Sequence, residues 1–119
     1  MLKVLLADDD YTMVSLLKTL LSLEGYLPVS LLDKKGDVLE NIRQENPDVI
    51  LLDVHLGNQS GLELMRRIRA TDDLKHVRVI MVSGGNKREE CLAAGADDFI
   101  LKPYMPDELF SKIRGLAQA

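Results

Sequence analysis

Short apolar runs alternate along this chain with stretches whose apolar residues recur every three or four positions. The first pattern predicts strands and the second helices. Residues 2–7 read as the first strand, and Met13, Leu16, Leu17, Leu20 and Leu23 as a helical stripe stopped by Gly25. Leu27–Leu31 is a second, weaker strand, and Pro28 puts it at a sheet edge. Val38, Leu39 and Ile42 mark a helix that ends before Pro47. Val49–Leu52 has no polar interruption, as expected of a strand covered on both faces. Ser60-Gly61-Leu62-Glu63 is a capping box opening a helix along Leu62, Met65 and Ile68. Val77–Val82 is the fourth strand, residues 86–94 a short helix closed by Gly95, and Asp98–Leu101 the fifth strand. Pro106 starts a last helix, with Asp107 and Glu108 complementing its dipole and Leu109, Ile113 and Leu116 on its apolar side. Such strict alternation predicts an α/β fold, a doubly wound parallel sheet with helices on both faces.

The 119 residues are enough for one domain with a real core, and no linker or repeat divides them, so residues 1–119 are read as a single domain. A hydrophobic fraction of 46% and a charged fraction of 29% are those of a soluble globular protein. The net charge of −4 offers no general attraction to nucleic acid or an anionic membrane. Cys91 is the single cysteine, so no internal disulfide forms, and without a neighbouring histidine it reads as a small helix residue. The five methionines fit core filling, and Lys34-Lys35 and Lys87-Arg88 read as charge pairs on solvated faces. No signal peptide precedes Asp8-Asp9-Asp10, and no apolar stretch approaches the roughly 20 residues of a membrane span. The expectation is a cytoplasmic protein.

Chemistry enters where the strands end. Asp8 and Asp9 follow the first strand, Asp53 the third, Ser83 the fourth and Lys102 the fifth. In a parallel sheet all of them reach the carboxyl edge, where ligands bind. One aspartate after a strand is commonly a turn or cap residue; the joint occurrence is what carries the argument. Three crowded carboxylates call for a hard cation such as Mg²⁺, which takes one or two carboxylates and keeps positions for water or phosphate oxygens. An aspartate can itself attack phosphorus to give an acyl phosphate. Lys102, the Ser83 hydroxyl and the Gly84 N–H can then bind the phosphoryl oxygens.

These residues resemble the receiver domain of two-component response regulators. The matching stretches are Val4–Asp10, Ile50–Asp53, Gly61–Leu64, Val82-Ser83-Gly84 and Gly95–Pro103, so the likeness covers essentially the whole chain. It implies a flavodoxin-like sheet of order 2-1-3-4-5 with five helices. It also implies that Asp53 is the phospho-acceptor of a sensor histidine kinase or phosphotransfer protein. Asp9 then resembles the direct Mg²⁺ ligand and Asp8 one acting mainly through water, with the His55 carbonyl completing the set. Ser83 and Phe99 match the switch pair, Lys102 the phosphoryl-pairing lysine, and Lys102-Pro103 a bond usually cis in the family. The expected product is a signalling switch that catalyses only its own phosphorylation and dephosphorylation. It would alter the face of the fourth helix, fifth strand and fifth helix for an unnamed effector, with phosphorylation-promoted dimerisation through that face.

Some positions depart from the pattern. Gly57 stands where proline is common, which predicts a looser loop over Leu56–Ser60. Phe99 lacks the hydroxyl of the usual tyrosine, and the Ser83–Gly95 segment is about one helical turn short. His55 and Gly85 flank the mouth of the site, where they either tune water access or are an ordinary exposed loop histidine beside a turn glycine. Two rivals come from other classes. Asp8–Thr12 reads as the D-x-D-x-T of a haloacid-dehalogenase-like phosphatase, with Asp8 as nucleophile, Asp10 as general acid and Ser83, Lys102 and Asp97-Asp98 as later motifs. That leaves Asp53–Gly61 unexplained and lacks a cap insertion. A phosphorylation-independent scaffold is the other, against which the intact acidic pair, hydroxyl and lysine argue.

Overall fold

Leu5 sits between Val29 on one side and Ile50 on the other, and Ile50 in turn pairs with Val79, so the chain builds its sheet outward from the first strand. The computed structural model describes residues 1–117, leaving the last two of the expected domain outside. In chain order the strands are β1 (Lys3–Ala7), β2 (Leu27–Ser30), β3 (Val49–Asp53), β4 (His55–Leu56), β5 (Gln59–Ser60), β6 (Arg78–Ser83) and β7 (Asp98–Leu101). The helices are α1 (Tyr11–Leu23), α2 (Val38–Glu45), α3 (Gly61–Arg69), α4 (Arg88–Ala93) and α5 (Pro106–Ala117). One parallel sheet runs β2-β1-β3-β6-β7, which is the order 2-1-3-4-5 once the β4–β5 ribbon is set aside. Pro28 lies on the edge strand, where its missing N–H costs no ladder bond.

The uninterrupted apolar runs are split by strand alternation between two cores. Leu5, Ile50, Leu52, Val79, Met81 and Phe99 face Ile42, Leu64, Met65, Ile68 and Cys91 of α2, α3 and α4. Val4, Leu6, Leu51, Ile80, Val82 and Ile100 face Val14, Leu17, Leu21, Leu109, Phe110 and Ile113 of α1 and α5. Both faces of the central strands are therefore dry, and the polar residues that follow each strand emerge together at one edge.

Helix boundaries follow local chemistry. Asp10 caps α1, its carboxylate accepting from the Thr12 and Met13 N–H groups. Gly25, at φ +89, lets the Tyr26 N–H turn back to the Leu21 carbonyl. Ser60 caps α3 by accepting from the Glu63 N–H, as its sequence pattern predicts. α4 is shorter than expected and has no side-chain cap. Its carboxyl end is held instead by Arg69, which donates to the Gly95 and Val77 carbonyls and to Asp97 at 2.8, 2.6 and 2.9 Å.

The loop after β3 corrects an expectation. Residues 55–60 form an antiparallel ribbon in which His55 faces Ser60 and Leu56 faces Gln59. Gly57, at φ +62, begins its two-residue turn, while Asn58 is not in the positive-φ region. That is the type II′ pattern, whose first central position calls for glycine. Glycine here specifies a tight turn and does not loosen the segment.

Candidate phosphoryl-transfer site

Asp53 is the last residue of β3 and only 7% exposed. Each of its carboxylate oxygens is engaged. Oδ1 accepts the His55 backbone N–H at 2.9 Å, and Oδ2 takes the Lys102 ammonium at 2.5 Å. Lys102 arrives from just beyond β7, where its backbone N–H donates to the Ser83 carbonyl at 2.8 Å and fixes its approach. Its ammonium also lies 3.8 Å from Asp8 Oδ2, so one cation serves two carboxylates. Burial works against the Lys102 charge, yet the Asp53 hydrogen bond and the Asp53 and Asp8 charges hold its pKa above the ordinary 10.5.

Asp8, just beyond β1, is also buried, and its Oδ1 accepts the Asp10 N–H at 2.9 Å. Burial raises its pKa above the ordinary 3.8, and neither the Asp10 hydrogen bond nor Lys102 cancels that effect. Asp9 is exposed and makes no hydrogen bond or ion pair among the described residues. Ser83 is almost wholly buried, and its hydroxyl accepts from the Gly85 N–H at 3.1 Å, turned to the backbone beyond β6. Gly84 is exposed, and a Cβ built on it would meet nothing within 4 Å. The Lys102–Pro103 bond is cis, as the resemblance implies.

The ribbon decides what His55 offers. The Gly61 N–H donates to the Val54 carbonyl at 2.7 Å, which makes His55 and Ser60 the non-hydrogen-bonded pair of the ladder. The N–H and C=O of His55 therefore both turn away from Ser60. The N–H meets Asp53, and the carbonyl faces the same side. Its imidazole is exposed.

Among the described residues no three acidic, histidine or cysteine side chains converge closely enough to hold an ion. The donor set nonetheless suits Mg²⁺ in kind: hard carboxylate oxygens of Asp8, Asp9 and Asp53 and an outward carbonyl at His55, with one ammonium for three carboxylates. Asp9 is free to rotate toward such an ion.

Phe99 lies away from the acidic cluster, 5% exposed in the core under α3 and α4. The structure adds two residues beside the site to which the sequence pattern assigned no role there. Gly61 packs on the Asp53 backbone: a Cβ there would stand 2.1 Å from the Asp53 carbonyl oxygen. Tyr104 is partly buried beside the cluster, and its hydroxyl is pushed up to about 12 by burial and then by the Asp8 and Asp53 charges. Asp10 spends its carboxylate capping α1, so the acid the phosphatase reading requires is already engaged.

Residues 4–114 match the response regulator receiver domain family. The chain is a receiver domain of that family. It is 35% identical over 116 residues to "Response regulator MprA" of Mycobacterium leprae (strain TN), covering 97% of this chain and 50% of that protein. It is 33% identical to "Probable transcriptional regulator ycf27" of Guillardia theta, covering 96% and 44%. This receiver thus spans about half the length of the curated relatives it matches. Among solved structures, a putative response regulator from Chloroflexus aurantiacus J-10-fl superposes with TM-score 0.87 at 26% identity, covering 98% of both chains. The BeF3-activated N-terminal receiver domain of Klebsiella pneumoniae RstA superposes with TM-score 0.86 at 26% identity, covering 98% and 99%. The family is that of phosphorylation-dependent signalling switches, so neither the phosphatase nor the scaffold reading is favoured. No helix among the described residues is long and apolar enough to cross a membrane.

Proposed function

We propose that this receiver takes a phosphoryl group on Asp53 from the phosphohistidine of a sensor histidine kinase or phosphotransfer protein. The observation that supports this most is the pairing of Asp53 with Lys102 at 2.5 Å, next to Asp8 and at the end of a buried strand. An Asp53 carboxylate oxygen attacks phosphorus; an O–P bond forms, the P–N bond breaks, and the imidazole leaves. Lys102 then pairs with a phosphoryl oxygen, and the Ser83 hydroxyl and Gly84 N–H donate to others. Bound at Asp8, Asp9, Asp53 and the His55 carbonyl, Mg²⁺ would neutralise charge on the transferring group. The domain catalyses only this transfer to itself and the later hydrolysis.

Drawing Ser83 toward the phosphoryl group breaks its contact with Gly85 and biases a two-state equilibrium at β6. The face read out is built from α4, β7 and α5, where Asp98 joins Arg88 at 3.8 Å and Lys112 at 3.1 Å. Leu92 and Leu101 are exposed on that face, apolar contacts for an effector or a second copy in a phosphorylation-promoted dimer. Direct nucleic-acid binding by this domain is not expected at a net charge of −4, and the setting is the cytoplasm.

Intact mass after incubation with a small-molecule phosphodonor tests the reading. One adduct is expected, dependent on Mg²⁺ and absent in Asp53→Asn. An adduct that survives Asp53→Asn but disappears in Asp8→Asn would overturn it. An unchanged hydrodynamic size on phosphorylation would remove the dimer.

A further inference from the structure

The two ends of α4 are held very differently. At the amino end, Lys87 stands at the cap position without a side-chain hydrogen bond. Before it come Gly84 and Gly85, where a built Cβ would meet nothing within 4 Å. That end is tied by the Gly85 N–H to the Ser83 hydroxyl at 3.1 Å, and by a pair at 3.8 Å between the exposed Arg88 and Asp98. At the carboxyl end the Ala96 N–H donates to the Cys91 carbonyl and the Gly95 N–H to the Leu92 carbonyl, both at 3.1 Å. With Gly95 at φ +111 this is a Schellman closure. Arg69 of α3 then crosses the turn. Its stem fills the space of a Gly95 side chain, 2.6 Å from a Cβ built there. Its guanidinium donates to the Gly95, Lys75 and Val77 carbonyls and to Asp97, which in turn accepts the Val79 N–H of β6 at 2.8 Å. Beneath the same end, Phe99 of β7 shares a dry core with Cys91, Ala94 and Ala96, all buried. A ring without a hydroxyl gains no hydrogen bond by swinging out, and its departure would leave a void in close-packed surroundings.

We infer that α4 answers phosphorylation as a lever: its amino-terminal turn is released when Ser83 leaves Gly85, while Arg69 and the core around Phe99 hold its carboxyl end still. The inference rests on the Asp53 switch proposed above and names the part that moves. Ser83 then acts without the aromatic partner that the resemblance implies. Arg69 touches neither the acceptor nor a phosphoryl group, so it is a positioning residue, the pivot of the output face. The moving turn carries Arg88. Its departure leaves Asp98 to Lys112 of α5, whose ammonium already lies 3.1 Å away on the other carboxylate oxygen. Phosphorylation thereby reaches α5 through a change of ion-pair partners at Asp98.

NMR of the full chain with MgCl2 and BeF3−, a phosphoryl mimic for Asp53, tests this. The amides of Lys87–Glu90 should shift on adding the mimic, while hydrogen exchange at Ala94, Gly95 and Ala96 stays within about twofold. Fluorine-labelled Phe99, assigned with Phe110→Leu because the chain has two phenylalanines, should stay shielded from water with and without the mimic. In Arg69→Lys a single ammonium cannot span the acceptors of the planar fork. Exchange at Ala94–Ala96 should then rise about tenfold or more when the mimic is added. No rise, or a rise equal with and without the mimic, marks a merely structural residue and overturns the pivot. The parent decides even if Arg69→Lys fails to fold. In it, faster exchange at Ala94–Ala96 or a water-exposed Phe99 with the mimic bound overturns the inference and leaves the switch intact. Amides that ignore the mimic throughout overturn the switch, and this inference with it.

Discussion

The Lys102 ammonium lies 2.5 Å from Asp53 and 3.8 Å from Asp8, so a single cation from beyond β7 compensates carboxylates from beyond β3 and β1. In this structure Lys102 holds the Asp53 carboxylate, and at the proposed site it would compete with Mg²⁺ for the same charges. Lys102→Met separates these roles. Losing one positive charge from the cluster should tighten Mg²⁺ binding, while adduct formation at Asp53 slows by about 10²-fold, as when one electrostatic donor is lost. Weaker Mg²⁺ binding in the variant would show that Lys102 organises the carboxylates more than it opposes the ion.

The proposed Mg²⁺ site predicts that the ion stabilises the folded domain. At about 100 times Kd, binding to the folded state alone adds about 2.7 kcal/mol. Thermal unfolding should therefore shift upward and saturate with MgCl2, and Asp9→Asn should blunt the shift. An equal shift in both proteins would remove Asp9 from the ligand set.

Asp8 links stability to pH. Burial holds its folded pKa above 3.8, so the folded state keeps the proton that the unfolded chain has already released. Stability from this group is complete below about pH 3.8 and is lost as pH rises through the folded pKa. In magnesium-free buffer Asp8→Asn should be more stable than the parent at neutral pH, with the gap closing as pH falls toward 4. Urea melts across that range check it, and a gap independent of pH would sink the claim.

Gly61→Ala should cost about 3 kcal/mol, the upper end of overpacking penalties. The new methyl would meet backbone, 2.1 Å from the Asp53 carbonyl oxygen, and no side chain can swing aside for it. The same displacement moves the acceptor, so adduct formation at Asp53 should fall as well. A denaturant midpoint and adduct yield both equal to the parent's would contradict the packing.

Much of this was readable in the chain. Val49–Leu52, a run without polar interruption, is a central strand buried on both faces. Pro28 lies on the edge, and Gly25 and Ser60 end and start helices as their chemistry predicts. The loop at Gly57 was misread because glycine's freedom says only that unusual dihedrals are open. Which one is used depends on Leu56 pairing with Gln59. Arg69 and Asp97, 28 residues apart, gave no sign of meeting, yet together they close the end of the sheet opposite the site.

Sequence by itself determined the alternation of elements, the two-sided burial of the central strands and the identity of the polar residues at their ends. Those properties follow from side-chain periodicity and local capping, which act over a few residues. Tertiary structure alone decided that Lys102 pairs with both Asp53 and Asp8, that Asp10 is spent as a cap, that His55 turns its backbone N–H to Asp53, and that Gly61 must lack a side chain. These are contacts between segments brought together only when the sheet closes, and their distances are set by the packing of the whole domain.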